Sequence, residues 1–199
     1  MSSNFRTARP RHFWSQLAVA NAGGIGLVRL PEWPAPDSVR ELIRRTRSLT
    51  ARPFGVDLCR LLRRRISGLC RRRKSPCCRC IEGSSPRSGW KRRTAPASRS
   101  EQIGSLEDAA KAKEAGVDGI SVQGCEAGDR VIGQEGLLPM LPKVVDLVSD
   151  SDTKIIAAGG IVDGHGYVDA LALAAQGVCL GTRFLATEES LHILYISKT

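Results

Sequence analysis

The sequence predicts an α/β fold with a parallel sheet. Two short apolar runs, at residues 155–158 and 178–180, indicate buried strands because neither run has a polar face to expose. Each run ends in a turn of small residues, and a segment with helical spacing separates them. A crossover helix returns the chain to the same side of the sheet, so the two strands are expected to be parallel, with both turns at one end.

Further helices and strands follow from local signals. Ser105 with Asp108 three residues later gives a capping-box-like start, Glu107 and Lys111 form an i,i+4 pair, and Gly116 ends that helix. Strands are expected at residues 53–58 and 119–122. The side chains predicted to face the core of the other helices are Val39, Leu42, Ile43 and Thr46 after a cap at Asp37; Leu138, Leu141, Val144, Val145 and Val148; and Val168, Leu171, Ala172 and Ala175.

This βαβαβ alternation favours a (β/α)8 barrel, but one that is incomplete. Such barrels typically need about 250 residues, whereas this chain has 199. Open sheet edges are therefore expected, and with them a tendency to self-association. No apolar run approaches the roughly 18 residues of a membrane-spanning helix, so no membrane interaction is predicted.

The glycine turns after the two apolar strands suggest a phosphate site. Gly159 and Gly160 follow the first strand, and Gly181 and Thr182 follow the second. Glycines let backbone amides approach an anion closely, and the threonine adds a hydroxyl donor. In (β/α)8 barrels a phosphate often lies in the loops after strands 7 and 8. The alternative is that these glycines only allow tight turns.

Four ordered motifs resemble those of the nitronate monooxygenase family, formerly called 2-nitropropane dioxygenases. They are LAVANAGGIGLV, VDGISVQGCEAG, AAGGIVDGHG and GVCLGTRFLATEES, and the likeness covers residues 17–58 and 101–190. The resemblance implies an FMN-dependent barrel that oxidises alkyl nitronates with O2. The protein is then expected to position the flavin and a small nitronate or nitroalkane, while FMN carries the redox chemistry.

The resemblance also implies site residues. Gly159, Gly160, Gly181 and Thr182 correspond to an FMN phosphate site, and Gln123 and Gly128 to contacts with the flavin ring or ribose. Asp57 stands where the family has an asparagine that contacts the flavin. An ionised aspartate keeps the acceptors but loses the amide donor.

The catalytic position departs from the family pattern. The family motif EAGGH ends in a histidine base, whereas Asp129 and Arg130 stand at its last two positions here. Arginine cannot act as a base at neutral pH, so no catalytic residue is assigned. Two other histidines do not replace it, because His165 lies in a different turn and His192 lies in the tail. A catalytically inactive member of the family is therefore one alternative.

Residues 59–100 form a strongly basic segment in which the family likeness stops. The segment holds fourteen Lys or Arg and one acid, Glu82, so its net charge is +13, while the rest of the chain carries 10 − 13 = −3. It also holds five of the seven cysteines. Disorder, a nucleic-acid-binding arm and a zinc site are the alternatives. Disorder is favoured, since no aromatics interleave with the arginines and the cysteines do not supply the two C-x2-C units of a structural zinc site. A shifted reading frame or mis-spliced segment is the simplest origin for it.

The predicted organisation has five parts: an irregular segment 1–16, a barrel fragment 17–58, the basic segment 59–100, a barrel portion 101–190 and a tail 191–199. No metal is expected, and nucleic acid is not the expected partner. Cys125 and Cys179 are predicted to be reduced packing residues, which favours an intracellular, cytoplasmic protein. Arginines near the N-terminus leave organelle targeting open.

Overall fold

The computed structural model describes residues 13–29, 36–59, 77–82, 97–128 and 131–187. Six helices and seven strands lie within these residues. In chain order they are α1 (Phe13–Asn21), β1 (Gly26–Arg29), α2 (Pro36–Leu49), β2 (Phe54–Cys59), β3 (Cys77–Glu82), β4 (Ala97–Ile103), α3 (Leu106–Glu114), β5 (Gly119–Gln123), α4 (Leu137–Leu147), β6 (Lys154–Ala158), α5 (Gly164–Ala172), β7 (Gly177–Cys179) and α6 (Thr182–Leu185).

The strands form one sheet in the order β1-β2-β3-β4-β5-β6-β7. The pairs β1–β2, β4–β5, β5–β6 and β6–β7 are parallel, whereas β3 runs antiparallel to both of its neighbours. Among the described strands β1 and β7 are the two ends of the sheet and do not pair with each other. The predicted α/β class with an incomplete barrel is confirmed.

The main hydrophobic core lies between strands β4–β6 and helices α3–α5. Ile120 and Val122 of β5 are fully buried in it. Because successive side chains of a strand point to opposite faces, Ser121 and Gln123 lie on the other face, which is the inner face of a barrel. The remaining buried core residues are Ile103, Ala109, Ala112, Val117, Leu137, Met140, Leu141, Val144, Val148, Ile155, Ala157, Ile161, Ala170 and Ala175.

Helix α3 has the predicted ends. Ser105 Oγ accepts a hydrogen bond of 3.2 Å from the Asp108 amide, and Lys111 Nζ lies 2.5 Å from Glu107 Oε1. Gly116 follows the last turn with φ +65°, the left-handed conformation that glycine adopts without strain. The cap predicted at Asp37 is wrong, since α2 already begins at Pro36 and Asp37 lies in its first turn. Proline is favoured at a first helical position because its missing N–H has no partner there.

Two predicted helix faces differ from the structure. Leu138 is 58% exposed, because α4 begins at Leu137 and turns Leu137 and Met140 inward instead. In α5 the inward residue is Ala170, whereas Val168 is 61% exposed. Helix α5 packs beside β7, the last strand of the described sheet. Its outer flank therefore has no further βα unit against it in the described part of the chain.

The boundaries of the predicted segments also change. Helix α1 begins at Phe13, so residues 13–16 are not irregular, and Gln16 Oε1 accepts from the Leu27 amide at 3.2 Å. Within the basic segment, β3 occupies Cys77–Glu82 and β4 begins at Ala97. No regular structure was predicted there, but pairing with β2 and β4 supplies ladder hydrogen bonds on both sides of β3.

Several predictions fall on residues outside the described ranges. They are the disorder of residues 60–76 and 83–96, the catalytic position at Asp129 and Arg130, and the tail with His192. The zinc and nucleic-acid alternatives for the basic segment also remain predictions. None of the described helices is both long enough and apolar enough to span a bilayer.

Candidate flavin site

Three segments meet where β5, β6 and β7 end: the β5 loop (residues 124–128), the β6 turn (Gly159 and Gly160) and the β7 turn (Gly181 and Thr182). The Gly124 amide of the β5 loop donates a 3.0 Å hydrogen bond to the carbonyl of Ala158, at the end of β6. A Cβ added to Gly159 would lie 3.2 Å from the amide nitrogen of Ala127. The β5 loop therefore packs directly on the glycine turn after β6.

The same loop contacts the turn after β7. A Cβ added to Gly128 would overlap the hydroxyl oxygen of Thr182, so the loop backbone and this side chain are in close contact. Ala127 therefore faces the β6 turn while Gly128, its neighbour in sequence, faces the β7 turn. The structure thus brings together Gly128, Gly159, Gly160 and Thr182, with Gly181 adjacent.

The backbone at the two turns suits a small anion. Gly159 and Gly160 have φ values of +99° and +70°, which side-chain-bearing residues rarely adopt. Within the described residues, the amides of Gly159, Gly160 and Gly181 donate no hydrogen bond to another protein group. Gly181 and Thr182 are exposed, and nothing lies within 4 Å of a Cβ position on Gly181. An amide donor with no partner among the described residues and with open space beside it, as at Gly181, can bind a phosphate group. These residues therefore fit the phosphate of FMN.

Gln123 lies on the inner face at the end of β5, but its side chain is engaged in a hydrogen bond within the protein. It is only 5% exposed, and its Oε1 accepts a 2.8 Å hydrogen bond from the amide of Ile132. This bond holds the segment before α4 against the end of β5. The sequence pattern gave no signal for that partner, which lies nine residues away.

Asp57 lies apart from the glycine turns. It is half-buried near the carboxyl end of β2, three strands from β5 in the sheet order. Its Cα pairs in register with that of Arg29 on β1. Because residues in register on neighbouring strands share a face, a cation stands next to this carboxylate. The structure thus places Arg29 beside Asp57, a relationship that the sequence motifs did not indicate.

The described histidine is a surface residue. The side chain of His165 is 98% exposed, and its Nδ1 lies 3.6 Å from Oδ2 of Asp163. Asp163 caps α5 by accepting a 3.1 Å hydrogen bond from the Gly166 amide. That backbone donor, with His165 nearby, lowers the pKa of the Asp163 carboxyl. The expectation that His165 is not the base agrees with this solvent-exposed position.

Two further side chains near the site differ from expectation. Cys125 in the β5 loop is exposed, so its predicted packing role is wrong, while Cys179 in β7 is half-buried. Glu126, for which sequence analysis assigned no contact, accepts hydrogen bonds from the Leu137 amide at 3.1 and 3.0 Å through its two carboxylate oxygens. The described residues contain no group of three or more His, Cys, Asp or Glu suited to a metal.

Solved structures with the same architecture are longer than this chain. The chain superimposes on FabK from Thermotoga maritima with a TM-score of 0.69 at 27% identity, over 94% of this chain and 59% of FabK. It superimposes on nitroalkane oxidase from Streptomyces ansochromogenes with a TM-score of 0.63 at 23% identity, over 90% of this chain and 64% of that one. The second similarity shows the fold alone.

Sequence relatives point to one family. Nitronate monooxygenase from Neurospora crassa is 39% identical over 94 residues, covering 45% of this chain and 25% of the relative. A 5-hydroxy-7a-methyl-1-oxo-octahydro-1H-indene-4-carboxyl-CoA dehydrogenase from Rhodococcus jostii is 34% identical over 174 residues, covering 86% of this chain and 48% of the relative. The chain thus spans between a quarter and about half of the length of these relatives.

A family model described as nitronate monooxygenase matches residues 80–195, which is more than half of the chain. This match includes β4 to β7 and every segment of the candidate phosphate site. It supports FMN as the cofactor and an oxidoreductase as the class of enzyme. By this match, the chain belongs to the nitronate monooxygenase family.

Proposed function

We propose that this chain binds FMN at the ends of β5, β6 and β7 and catalyses the oxidation of alkyl nitronates with O2. The observation that carries the proposal is a set of three amide donors, those of Gly159, Gly160 and Gly181, that have no protein partner within the described ranges. They lie around the β5 loop in a member of this family. FMN, when bound, supplies the two-electron redox chemistry.

The chain's own residues have binding and orienting roles in this proposal. Backbone amides of the two glycine turns donate to the phosphate dianion, and Thr182 adds its exposed hydroxyl. Gly128 leaves room for that threonine. Gln123, at the end of β5 on the inner face of the sheet, would be a candidate for contact with the rest of the cofactor.

The sequence offers no base to abstract a proton from a neutral nitroalkane, because Arg130 occupies the position of the family's histidine base. A preformed nitronate is already an anion and needs no deprotonation. A guanidinium can instead help to bind its negative charge through charge-assisted hydrogen bonds. Nitronates are therefore the proposed substrates rather than neutral nitroalkanes.

The test combines binding with turnover. FMN is titrated into the purified full chain and followed by flavin fluorescence, and oxygen consumption is then measured at saturating FMN with a preformed nitronate. Saturable FMN binding and flavin-dependent oxygen uptake support the proposal. Binding without turnover identifies an inactive family member, and absence of FMN binding contradicts the proposal altogether.

A second candidate function has its own support. The dehydrogenases from Rhodococcus jostii and Mycobacterium tuberculosis, which act on an indene-carboxyl-CoA, match 86% and 87% of this chain, almost twice the share matched by the Neurospora crassa relative. Flavin-dependent dehydrogenation of a CoA ester is therefore the alternative. Reduction of bound flavin by an alicyclic acyl-CoA under anaerobic conditions, with no reaction toward nitronates, favours this alternative.

A further inference from the structure

Glu126 caps a helix to which it does not belong. Helix α4 starts after Gly136, which has no side chain to cap the first amides of the helix. Both carboxylate oxygens of Glu126 instead accept from the amide of Leu137, at 3.1 and 3.0 Å. The residue comes from the β5 loop, eleven positions earlier in the chain. A negative charge is favourable at this position because of the partial positive charge of a helix N-terminus.

Two glycines make the space for this carboxylate. A Cβ on Gly136 would lie 3.0 Å from Oε1 of Glu126. A Cβ on Gly124 would overlap the other carboxylate oxygen and lie 2.6 Å from the Leu137 amide. The contact thus depends on two residues without side chains, one on each side. A second hydrogen bond, of 3.0 Å from the Cys125 amide to the carbonyl of Glu135, also holds the β5 loop to the residues before α4.

The rest of Glu126 packs on the candidate phosphate turn. A Cβ on Gly160 would lie 3.2 Å from Cβ of Glu126 and 3.8 Å from its Cγ. The adjacent Ala127 lies in the same way against Gly159. One side chain therefore contacts the start of α4 with its carboxylate and the β6 turn with its aliphatic stem.

We propose that Glu126 is a positioning residue for FMN, because its contacts fix the β5 loop against the β6 turn. The helix amide fixes the carboxylate, the fixed stem supports Gly160, and the loop holds Gly128 against Thr182. The partial positive charge of the α4 terminus offsets part of the charge of Glu126, which reduces its repulsion of a nearby phosphate. This role rests on the proposed binding of FMN.

Three variants test the proposal. Glu126→Ala removes the acceptor, Glu126→Gln keeps an oxygen that can accept from Leu137, and Glu107→Ala removes an exposed first-turn carboxylate of another helix, α3, where it pairs with Lys111. We expect FMN affinity to fall by about fivefold or more in Glu126→Ala, to recover largely in Glu126→Gln, and to stay unchanged in Glu107→Ala. Wild-type affinity in Glu126→Ala overturns the proposal.

A second measurement needs no flavin and separates this inference from the proposed function. Hydrogen exchange of the flavin-free chain is compared between wild type and Glu126→Ala, in peptides covering residues 122–128 and, as an internal reference, 105–116. The amides of Gly124, Cys125 and Ala127 are hydrogen-bonded and therefore report on the β5 loop. Faster exchange confined to this loop supports the positioning role even if FMN does not bind. Unchanged exchange there contradicts it, whatever the flavin result.

Discussion

Gly128 lies against the side chain of Thr182, so closely that a Cβ at position 128 would overlap the threonine hydroxyl. Gly128 belongs to the loop after β5, whereas Thr182 is the first residue of α6, after β7. Their contact joins the β5 loop to the turn after β7. It is possible because residue 128 is a glycine and carries no Cβ.

The first prediction concerns this contact. Gly128→Ala should displace the Thr182 side chain and weaken FMN binding, and Thr182→Val should weaken it by removing the hydroxyl donor. Gly177→Ala is the matched control, because a Cβ there meets nothing within 4 Å. Equilibrium titration with FMN is the measurement. Equal affinity of Gly128→Ala and Gly177→Ala would show that the contact does not matter for the cofactor.

The second prediction concerns the β6 turn. Gly160→Val should abolish FMN retention, because the side chain presses on the stem of Glu126 and displaces the turn whose amides hold the anion. Gly116→Val separates this effect from backbone strain, since Gly116 has a similar φ of +65° but open space around it. Both variants should lose stability, by roughly 1–2 kcal/mol for the left-handed conformation. Only Gly160→Val should lose flavin, and flavin retained by it would falsify the phosphate assignment.

The third prediction uses two leucines of the same helix. Leu141→Ala should cost about 2–5 kcal/mol in the free energy of unfolding, because Leu141 is fully buried in α4. Leu138→Ala should change it by no more than about 0.5 kcal/mol, since Leu138 is 58% exposed. Urea denaturation of both variants gives the comparison. Similar losses would mean that the outer side of α4 is also covered in solution.

The fourth prediction concerns pH. The pKa of Asp163 is lowered by the Gly166 amide and by His165, so the ionised carboxylate stabilises the folded chain. A lowered folded-state pKa gives stability that is present above the ordinary pKa and is lost as the pH falls through the folded value. Asp163→Asn keeps a capping oxygen that does not titrate. The wild-type advantage over Asp163→Asn should therefore shrink below about pH 4, in denaturation midpoints measured from about pH 6 downward. A constant difference would contradict it.

The fifth prediction concerns the residues at the family's catalytic position. Arg130→His together with Asp129→Gly restores the family motif and should raise the rate with neutral nitroalkanes, since a positioned base contributes about 10²- to 10⁴-fold. The unmodified chain should show negligible activity with neutral nitroalkanes and slow turnover of nitronates. Oxygen consumption at saturating FMN measures both. Efficient oxidation of neutral nitroalkanes by the unmodified chain would overturn this reading of Arg130.

Local signals predicted the parts of the fold whose causes lie within a few residues. The cap at Ser105 and the stop at Gly116 each depend on contacts three to five residues away, and both are present in the structure. The strand at β6 follows from its own apolar residues. These features need no knowledge of the rest of the chain.

Features that depend on distant neighbours escaped prediction. Val168 has helical spacing, but its burial depends on what lies beyond β7, which periodicity does not show. Glu126 finds its partner eleven residues away, and only the missing side chains of Gly124 and Gly136 hint at the space it fills. Arg29 comes beside Asp57 only through the register of β1 on β2.

For the candidate site, the sequence predicted that both glycine turns lie at the same end of the sheet, in agreement with the parallel pairing of β6 and β7. The glycine motifs did not reveal that the β5 loop lies between those turns, or that Gln123 is engaged by Ile132. A tight turn and an anion site have the same sequence signature. The structure adds the unused amides, which the sequence alone does not contain.

The antiparallel strand β3 preserves the direction of the sheet. A chain that reverses once into β3 and once more into β4 regains its original polarity, so β4 to β7 point the same way as β1 and β2. Antiparallel neighbours can be joined without a crossover helix, so these two reversals change the polarity of β3 alone. Asp57, near the carboxyl end of β2, therefore stays at the same end of the sheet as the glycine turns after β6 and β7.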